Sequence, residues 1–180
     1  MVSDTPGSLL ERASIAKKER RLEDAATLFR EALAECAASD SQALRATLHE
    51  ELAYVERNLR DLETSQRHYR QASEIYSSLG NPLKTAHTVR HAADILREQT
   101  KPEQAAPLYA ESLEIYRRHK ETPPLDLANA IRGFALVKEQ TGDRKEALSL
   151  WREARDLYEL TGIEAGVSES DRRIGLLSAD

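Results

Sequence analysis

The chain has 180 residues, of which 40% are apolar and 32% are charged, so it is too apolar for a disordered chain and too polar for a membrane-embedded one. Alanine occurs 25 times and leucine 24 times, whereas valine and isoleucine together occur 12 times, which predicts an all-α protein and excludes a β-sandwich, a barrel or a large parallel sheet. The net charge of −5 gives no overall basic excess of the kind that nucleic-acid binders use.

Taken in chain order, the pattern predicts a short disordered tail over residues 1–7, which are rich in turn formers, and then one helical domain over residues 8–180. Four helical hairpins are expected, separated by clusters of glycine, proline and polar residues. Their approximate bounds are 8–39, 41–79, 82–120 and 124–161, and a capping helix over about 163–178 follows. The breaks inside the hairpins are predicted near residues 20–21, 60–61, 100–102 and 141–143.

Three local signals refine the predicted helix ends. Gly142 suits the left-handed conformation that often follows a helix. Capping boxes, in which a polar residue and a glutamate three positions later satisfy the first amides of a helix, are predicted at Asp143 and at Thr100. Pro107 lies inside a predicted helix and removes one of its backbone hydrogen bonds, so we expect that helix to start late or to bend there.

An internal repeat organises these hairpins. An aromatic residue recurs in the second helix of each hairpin at spacings of 40, 40 and 42, at Phe29, Tyr69, Tyr109 and Trp151. A small residue recurs in each first helix, at Ala13, Ala53, Ala93 and Ala135. Because one hairpin cannot cover its own apolar face, units of this kind stack on one another, and small residues let the helices approach closely.

These positions resemble the tetratricopeptide repeat. That family has a small residue in the first helix, two more in the second helix and an aromatic residue four positions after the first of these, and residues 8–161 follow the pattern with a longer period of 40–42 residues. The resemblance implies a right-handed α-solenoid of four hairpins plus the C-terminal capping helix. It also implies that the first helices line a concave groove in which a peptide, a helix or a partner domain binds.

The groove implied by the resemblance carries a mixture of aromatic, polar and charged side chains. Its candidate binding residues are Tyr54, Arg57, Asn58, His87, Arg90, His91, Asp94, Arg97, Asn129 and Arg132. The arginines could clamp a carboxylate or an acidic peptide side chain. The alternative is an ordinary solvated face, on which Arg90 and Arg97 pair with Asp94 and Glu98 along their own helix.

The residues that could carry chemistry favour a structural interpretation. His87, His91 and Asp94 have a spacing that can bind a transition metal, but that spacing is more often a polar surface, so no metal site is predicted. Cys36 aligns with Tyr76, Tyr116 and Tyr158 and is expected to fill core space. No catalytic residue and no cofactor are predicted.

The sequence therefore predicts a non-enzymatic protein–protein interaction module, with a protein or peptide partner that has acidic groups and with no nucleic-acid or membrane partner. The alternative is an oligomerising scaffold or a regulatory module that uses its end helices or its convex face; the oligomeric state stays open. Because we find no signal peptide and no apolar run near about 18 residues, a cytoplasmic location is expected.

Overall fold

A computed structural model of the chain describes residues 5–36 and 42–179. These residues form nine α-helices and no strand, as the composition predicts. The helices are α1 Pro6–Lys18, α2 Leu22–Cys36, α3 Gln42–Asn58, α4 Leu62–Ser78, α5 Pro82–Glu98, α6 Pro102–Arg118, α7 Pro124–Gln140, α8 Arg144–Thr161 and α9 Glu164–Ser178. We call α1, α3, α5, α7 and α9 the first helices and α2, α4, α6 and α8 the second helices.

The breaks between helices fall where the sequence places them, except that the break near residues 40–41 lies outside the described residues. Gly142 has a left-handed backbone with φ of 79°, so that prediction is confirmed. The Asp143 side chain accepts a hydrogen bond from the Glu146 amide, which is one half of the predicted capping box; the Asp143 amide itself donates to the Lys138 carbonyl. The turn equivalent to Gly142 is also left-handed in the other hairpins, although non-glycine residues occupy it. These are Arg20, Arg60 and Thr100, with φ of 64°, 68° and 58°.

The structure of α6 contradicts one prediction for this helix and one of the two alternatives of another. Thr100 does not cap the helix, because it adopts the left-handed conformation of the preceding turn and its hydroxyl donates to the Gln99 carbonyl; Lys101 occupies the cap position without a side-chain bond. The helix also does not start late, since it begins at Pro102 and contains Pro107; the alternative, a bend at Pro107, stays a prediction. Proline removes a single hydrogen bond near the start of the helix, while residues on either side of it are fully buried.

Contacts divide the chain into two compact units, residues 1–88 and residues 89–180, and the boundary falls inside α5. In unit 1, α1 packs on α2, α2 on α3 and α3 on α4. Its core combines small residues with a few large apolar ones, among them Leu9, Phe29, Leu48, Leu52 and Val55. The single domain expected over residues 8–180 remains a prediction.

Unit 2 repeats this order of contacts. Here α6 packs on α7, α7 on α8 and α8 on α9. Its largest fully buried side chains are those of Trp151, Tyr109, Tyr116, Ile131 and Ile95.

The repeat positions are equivalent in burial, which is the property that the sequence pattern predicts. The four alanines of the first helices and the aromatic residues Phe29, Tyr109 and Trp151 have no exposed surface, and Tyr69 is 2% exposed. Cys36 is fully buried, as expected of a core position. Ile15 is an exception, because it is 47% exposed whereas its counterparts Val55, Ile95 and Val137 are completely buried.

The last helix, α9, packs on α8 through small residues. Gly166 and Ser170 are buried, and a Cβ atom on Gly166 would lie 2.4 Å from the Tyr158 ring. The larger apolar residues that the sequence places on this helix are only partly buried, and Leu176 is 60% exposed. The two helices can therefore approach this closely only because Gly166 has no side chain.

Candidate functional site

The predicted groove residues lie on the first helices α3, α5 and α7, and the polar face of each unit is described by itself. The first-helix face of unit 1 comprises Lys17, Glu50, Glu51, Tyr54, Arg57, Asn58, Lys84 and His87. The first-helix face of unit 2 comprises Arg90, His91, Asp94, Arg97, Asn129, Arg132, Glu139, Glu169 and Arg173.

Tyr54 is the most exposed aromatic residue among the described part of the chain, at 45%. The Lys17 ammonium lies 5.3 Å from the centre of its ring and donates a hydrogen bond to Glu51, so α1 and α3 are joined by one cation. The amide of Asn58 donates to the Tyr54 carbonyl at 2.8 Å, which occupies that side chain with its own helix. Tyr54 thus presents a flat ring beside an internal ion pair.

Glu50 is the centre of a second group on the unit 1 face. Its carboxylate accepts a hydrogen bond from the Tyr76 hydroxyl at 2.8 Å and from the Lys84 ammonium at 3.2 Å, and the His87 ring nitrogen Nε2 lies 3.4 Å away. Burial, together with the neighbouring Glu50 carboxylate, raises the pKa of Tyr76 to about 12, so its hydroxyl stays protonated. His87 therefore faces a carboxylate of its own unit.

Arg90 and Asp94 form a buried ion pair on the unit 2 face. Arg90 Nη1 donates to Asp94 at 2.9 Å, and each residue is 8% exposed. The Tyr109 hydroxyl donates to the other oxygen of Asp94 at 2.5 Å, and Arg90 Nη2 lies 2.7 Å from His91 Nε2. Burial alone would raise the pKa of Asp94, but the hydrogen bond from His91, the charge of Arg90 and the Tyr109 hydroxyl hold that pKa far below its usual value.

The α7 part of this face is paired with α9. Arg132 donates to both oxygens of Glu169, at 2.6 and 3.0 Å, which is the two-pronged geometry that favours an arginine–carboxylate pair. The Tyr158 hydroxyl donates to the Asn129 side-chain carbonyl at 2.9 Å. Burial raises the pKa of Tyr158 to about 12.

Glu139, near the end of α7, forms a third pairing on this face. It accepts a hydrogen bond from the Trp151 ring nitrogen at 2.5 Å and another from Arg173 at 2.9 Å. The Arg173 guanidinium also lies 5.9 Å from the centre of the Trp151 ring. The fully buried Trp151 of α8 is thereby hydrogen-bonded to a residue of the unit 2 face.

These contacts bear on one of the two sequence interpretations of the arginines, and the binding of a partner's carboxylate stays a prediction. The pairing of Arg90 with Asp94 along the helix is present, but the pair is buried and is not an ordinary solvated surface. Sequence reasoning does not find Glu169 and Arg173, because the pattern of α9 predicts only a capping helix with a polar outer face. The repeat period could have revealed them, since α9 begins 40 residues after α7 and continues its register.

His87, His91 and Asp94 do not converge on a common point. His87 faces Glu50, whereas His91 contacts Arg90 and lies 3.4 Å from Asp94. No group of three or more potential metal ligands occurs within residues 5–36 and 42–179. In the same part of the chain, no helix combines the length and apolarity needed to cross a bilayer.

The paired helices, the repeated small and aromatic core positions and the polar first-helix faces define a helical-repeat protein of the α-solenoid class. Residues 44–118 match the tetratricopeptide repeat family. Residues 44–118 therefore carry tetratricopeptide repeats, as the residue pattern predicts.

Solved structures give the same result for the fold. The apo form of RapI superposes with a TM-score of 0.85 at 14% sequence identity, over 97% of this chain and 48% of that one. A Rap protein complexed with Competence and Sporulation Factor gives 0.74 at 18% identity, over 96% and 48%. A putative kinesin light chain from Podospora anserina with nearly identical TPR-like repeats gives 0.69 at 15% identity, over 98% and 97%.

The chain spans about half the length of the two Rap structures that it matches. No curated protein matches its sequence significantly.

Proposed function

We propose that this chain is a non-catalytic interaction module whose first-helix faces bind a peptide, a helix or a partner domain. The tetratricopeptide repeat match supports a protein-binding role, and one structure of similar fold is a Rap protein complexed with Competence and Sporulation Factor. The polar character of both first-helix faces supports it further, since partly exposed charged and aromatic groups are available for directional contacts.

The observation that carries the proposal is the exposure of Tyr54. The repeated aromatic residues of the second helices are buried, whereas nearly half of the surface of Tyr54 is exposed, and its ring lies beside the Lys17 ammonium. Tyrosine supplies a large contact area at a low cost in conformational entropy and is enriched at the energetic centres of protein interfaces. We therefore place the centre of the contact in unit 1 at Tyr54, flanked by Arg57, Asn58 and His87.

The unit 2 face favours a partner with acidic groups. Four arginines, at 90, 97, 132 and 173, supply guanidinium groups on this face. Among them, Arg97 contacts the Tyr109 hydroxyl. A carboxylate of the bound protein would pair with these guanidinium groups, with Asn129 and His91 beside them.

Affinity capture from a lysate, followed by mass spectrometry, identifies the partner, and variants of the two faces then test the site with the purified partner. We expect Tyr54→Ala to weaken binding roughly tenfold, as loss of a central aromatic contact does. Arg97→Glu should weaken the binding of an acidic partner by a similar factor.

The matched control for Arg97→Glu is Arg152→Glu, which makes the same charge change at an exposed position of the second helix α8. It should leave the affinity unchanged. If folded Tyr54→Ala and Arg97→Glu proteins bind the partner as tightly as the unmodified chain does, the first-helix faces are not the binding surface.

A second candidate function is an oligomerising scaffold that uses the C-terminal helices. It is favoured by the exposure of Leu160, Ile163 and Leu176, at 73%, 37% and 60%, near and on α9. Leu160 and Ile163 lie together where α8 ends, whereas Leu176 lies at the other end of α9, where its carbonyl accepts a hydrogen bond from Arg144 at the start of α8. Exposed apolar patches mark contacts between subunits. Light scattering at several concentrations tests this candidate: a mass that stays at one chain up to high concentration excludes it, and a dimer that Leu176→Ser and Leu160→Ser abolish supports it.

A further inference from the structure

Two histidines occupy core positions that are apolar in the other hairpins. His49 lies on α3 and His68 on α4, within unit 1. Counting by the repeat period, the equivalent pairs are Leu9 with Leu28, Val89 with Leu108 and Ile131 with Leu150. In the second hairpin, histidines therefore occupy both positions of a pair that is apolar in the other hairpins. The two positions are 19 residues apart.

The two rings contact each other directly. Their Nδ1 atoms are 2.9 Å apart, the ring centres are 5.1 Å apart and the ring planes are inclined by 32°. His49 is only 5% exposed. At this distance one Nδ1 donates its hydrogen and the other accepts it, because two protonated Nδ1 atoms would direct hydrogens and positive charge at each other.

The surroundings of the pair oppose added positive charge. Arg45 on α3, Arg67 on α4 and Arg30 on α2 act on the two rings, and Asp61 at the start of α4 acts on His68 with the opposite sign. Arg30 is itself paired with the buried Glu56 of α3. Gln71 forms a hydrogen bond with His68. Burial, the charge of the other histidine and Arg45 lower the pKa of His49 to about 4, and burial with Arg67 lowers the pKa of His68.

We propose that His49 and His68 form a proton-sensitive latch between α3 and α4, which is closed while the pair is neutral and opens when the pair takes up protons. An unfolded histidine titrates near 6.5, so the unfolded chain binds protons at a pH at which the folded pair does not. The stability of this hairpin is therefore constant above about pH 6.5 and falls as the pH drops from 6.5 toward 4.

A metal ion explains the pair less well. Two nitrogens alone supply few ligands, no third ligand joins them among the described residues, and three arginines nearby repel a dication. The hydrogen-bonded pair, by contrast, accounts for the distance, the burial and the simultaneous replacement of two apolar residues.

The test uses the full chain and the variant His49→Leu/His68→Leu, which restores the apolar pair of the first hairpin. Histidine resonances followed by NMR should show His49 titrating near pH 4. Between pH 7 and pH 5 we expect the thermal midpoint to fall by roughly 4–8 °C more in the unmodified chain than in the double variant. Hydrogen exchange, corrected for its intrinsic pH dependence, should show that this loss is concentrated in α3 and α4.

His119→Gln is the control, since this residue is partly exposed and lies near Glu121 in a loop; its pH profile should follow that of the unmodified chain. His68→Gln keeps a hydrogen-bonding side chain but cannot titrate, so it provides a second variant should the double replacement fail to fold, and it should lose part of the pH dependence. The proposal is overturned if His49 titrates near 6.5, or if a folded variant without the pair loses as much thermal stability at pH 5 as the unmodified chain.

Discussion

At the residue scale, Asp94 is a buried carboxylate whose charge is balanced from several sides at once. Arg90 neutralises it, and the Tyr109 hydroxyl donates a hydrogen bond at 2.5 Å. A buried carboxylate that loses a donor is left partly unsatisfied, which costs more than the loss of a bond between neutral groups. The hydroxyl of Tyr109 should therefore contribute more to stability than that of Tyr158, which donates to the neutral amide of Asn129.

We predict that Tyr109→Phe lowers the free energy of unfolding by about 2 kcal/mol, and that Tyr158→Phe lowers it by about 1 kcal/mol. Both substitutions remove one oxygen from a tyrosine of unit 2, so the comparison isolates the charge of the acceptor. Urea denaturation of the two variants measures the difference. Equal losses would show that the ionised state of Asp94 does not depend on the Tyr109 hydroxyl.

The backbone of Thr100 makes a second residue-scale prediction. A β-branched residue is strained in the left-handed conformation that Thr100 adopts, whereas glycine, which occupies the equivalent turn at 142, is not. Thr100→Gly should therefore raise the free energy of unfolding by about 0.5–1 kcal/mol, and Gly142→Ala should lower it by about 1 kcal/mol. A thermal melt that shows Thr100→Gly to be destabilising would contradict the strain.

Burial at single positions could be predicted from the sequence, but side-chain partners could not. Ala13 and Ala53 recur 40 residues apart, and Tyr109 and Trp151 recur 42 residues apart, because each repeated core position imposes the same type of residue. The pairing of Arg132 with Glu169 joins residues 37 positions apart on different helices. The sequence alone does not pair these two residues, because their contact depends on how α9 packs in unit 2.

At the scale of the elements, α6 and α7 approach so closely that one position tolerates no side chain. A Cβ atom on Gly133 would lie 2.4 Å from the ring of Tyr109, which is fully buried and cannot move aside. This contact explains a glycine in the middle of a helix, where it would otherwise be unfavourable.

We predict that Gly133→Ala lowers the free energy of unfolding by about 1–3 kcal/mol, because overpacking outweighs the better helix propensity of alanine. Gly175→Ala is the matched control: a Cβ atom there meets no atom within 4 Å, so this change should raise stability by roughly 0.5 kcal/mol. Circular dichroism melts measure both. A stabilising Gly133→Ala would show that the two helices are less tightly packed.

Element boundaries were predictable where the chain has strong breakers, and less so where packing competes with local preference. The starts at Pro82 and Pro124 follow from the fixed backbone of proline. Pro107 is the counterexample, because α6 continues through it with Ala105 and Tyr109 fully buried beside it. The gain from burying neighbouring residues is not visible in a local pattern.

At the scale of the whole molecule, the repeat keeps the core constant and varies the first-helix faces. The position held by Glu50 in the second hairpin is held by Arg90 and Arg132 in the third and fourth. The resemblance to tetratricopeptide repeats indicated which residues lie on these faces. It could not indicate which cations are paired, since that depends on distances between helices.

The internal pairing of these faces has a consequence for the energetics of binding. A carboxylate that reaches Arg132 must displace Glu169, and one that reaches Arg173 must displace Glu139, so association is an exchange of counterions within the protein. Dissolved salt weakens the internal ion pair that is lost and the ion pair with the partner that forms in its place to a similar extent. The dissociation constant of an acidic partner should therefore rise less than about threefold between 50 and 500 mM sodium chloride, measured by calorimetry. A steep rise would instead reveal that unshielded cations dominate recognition.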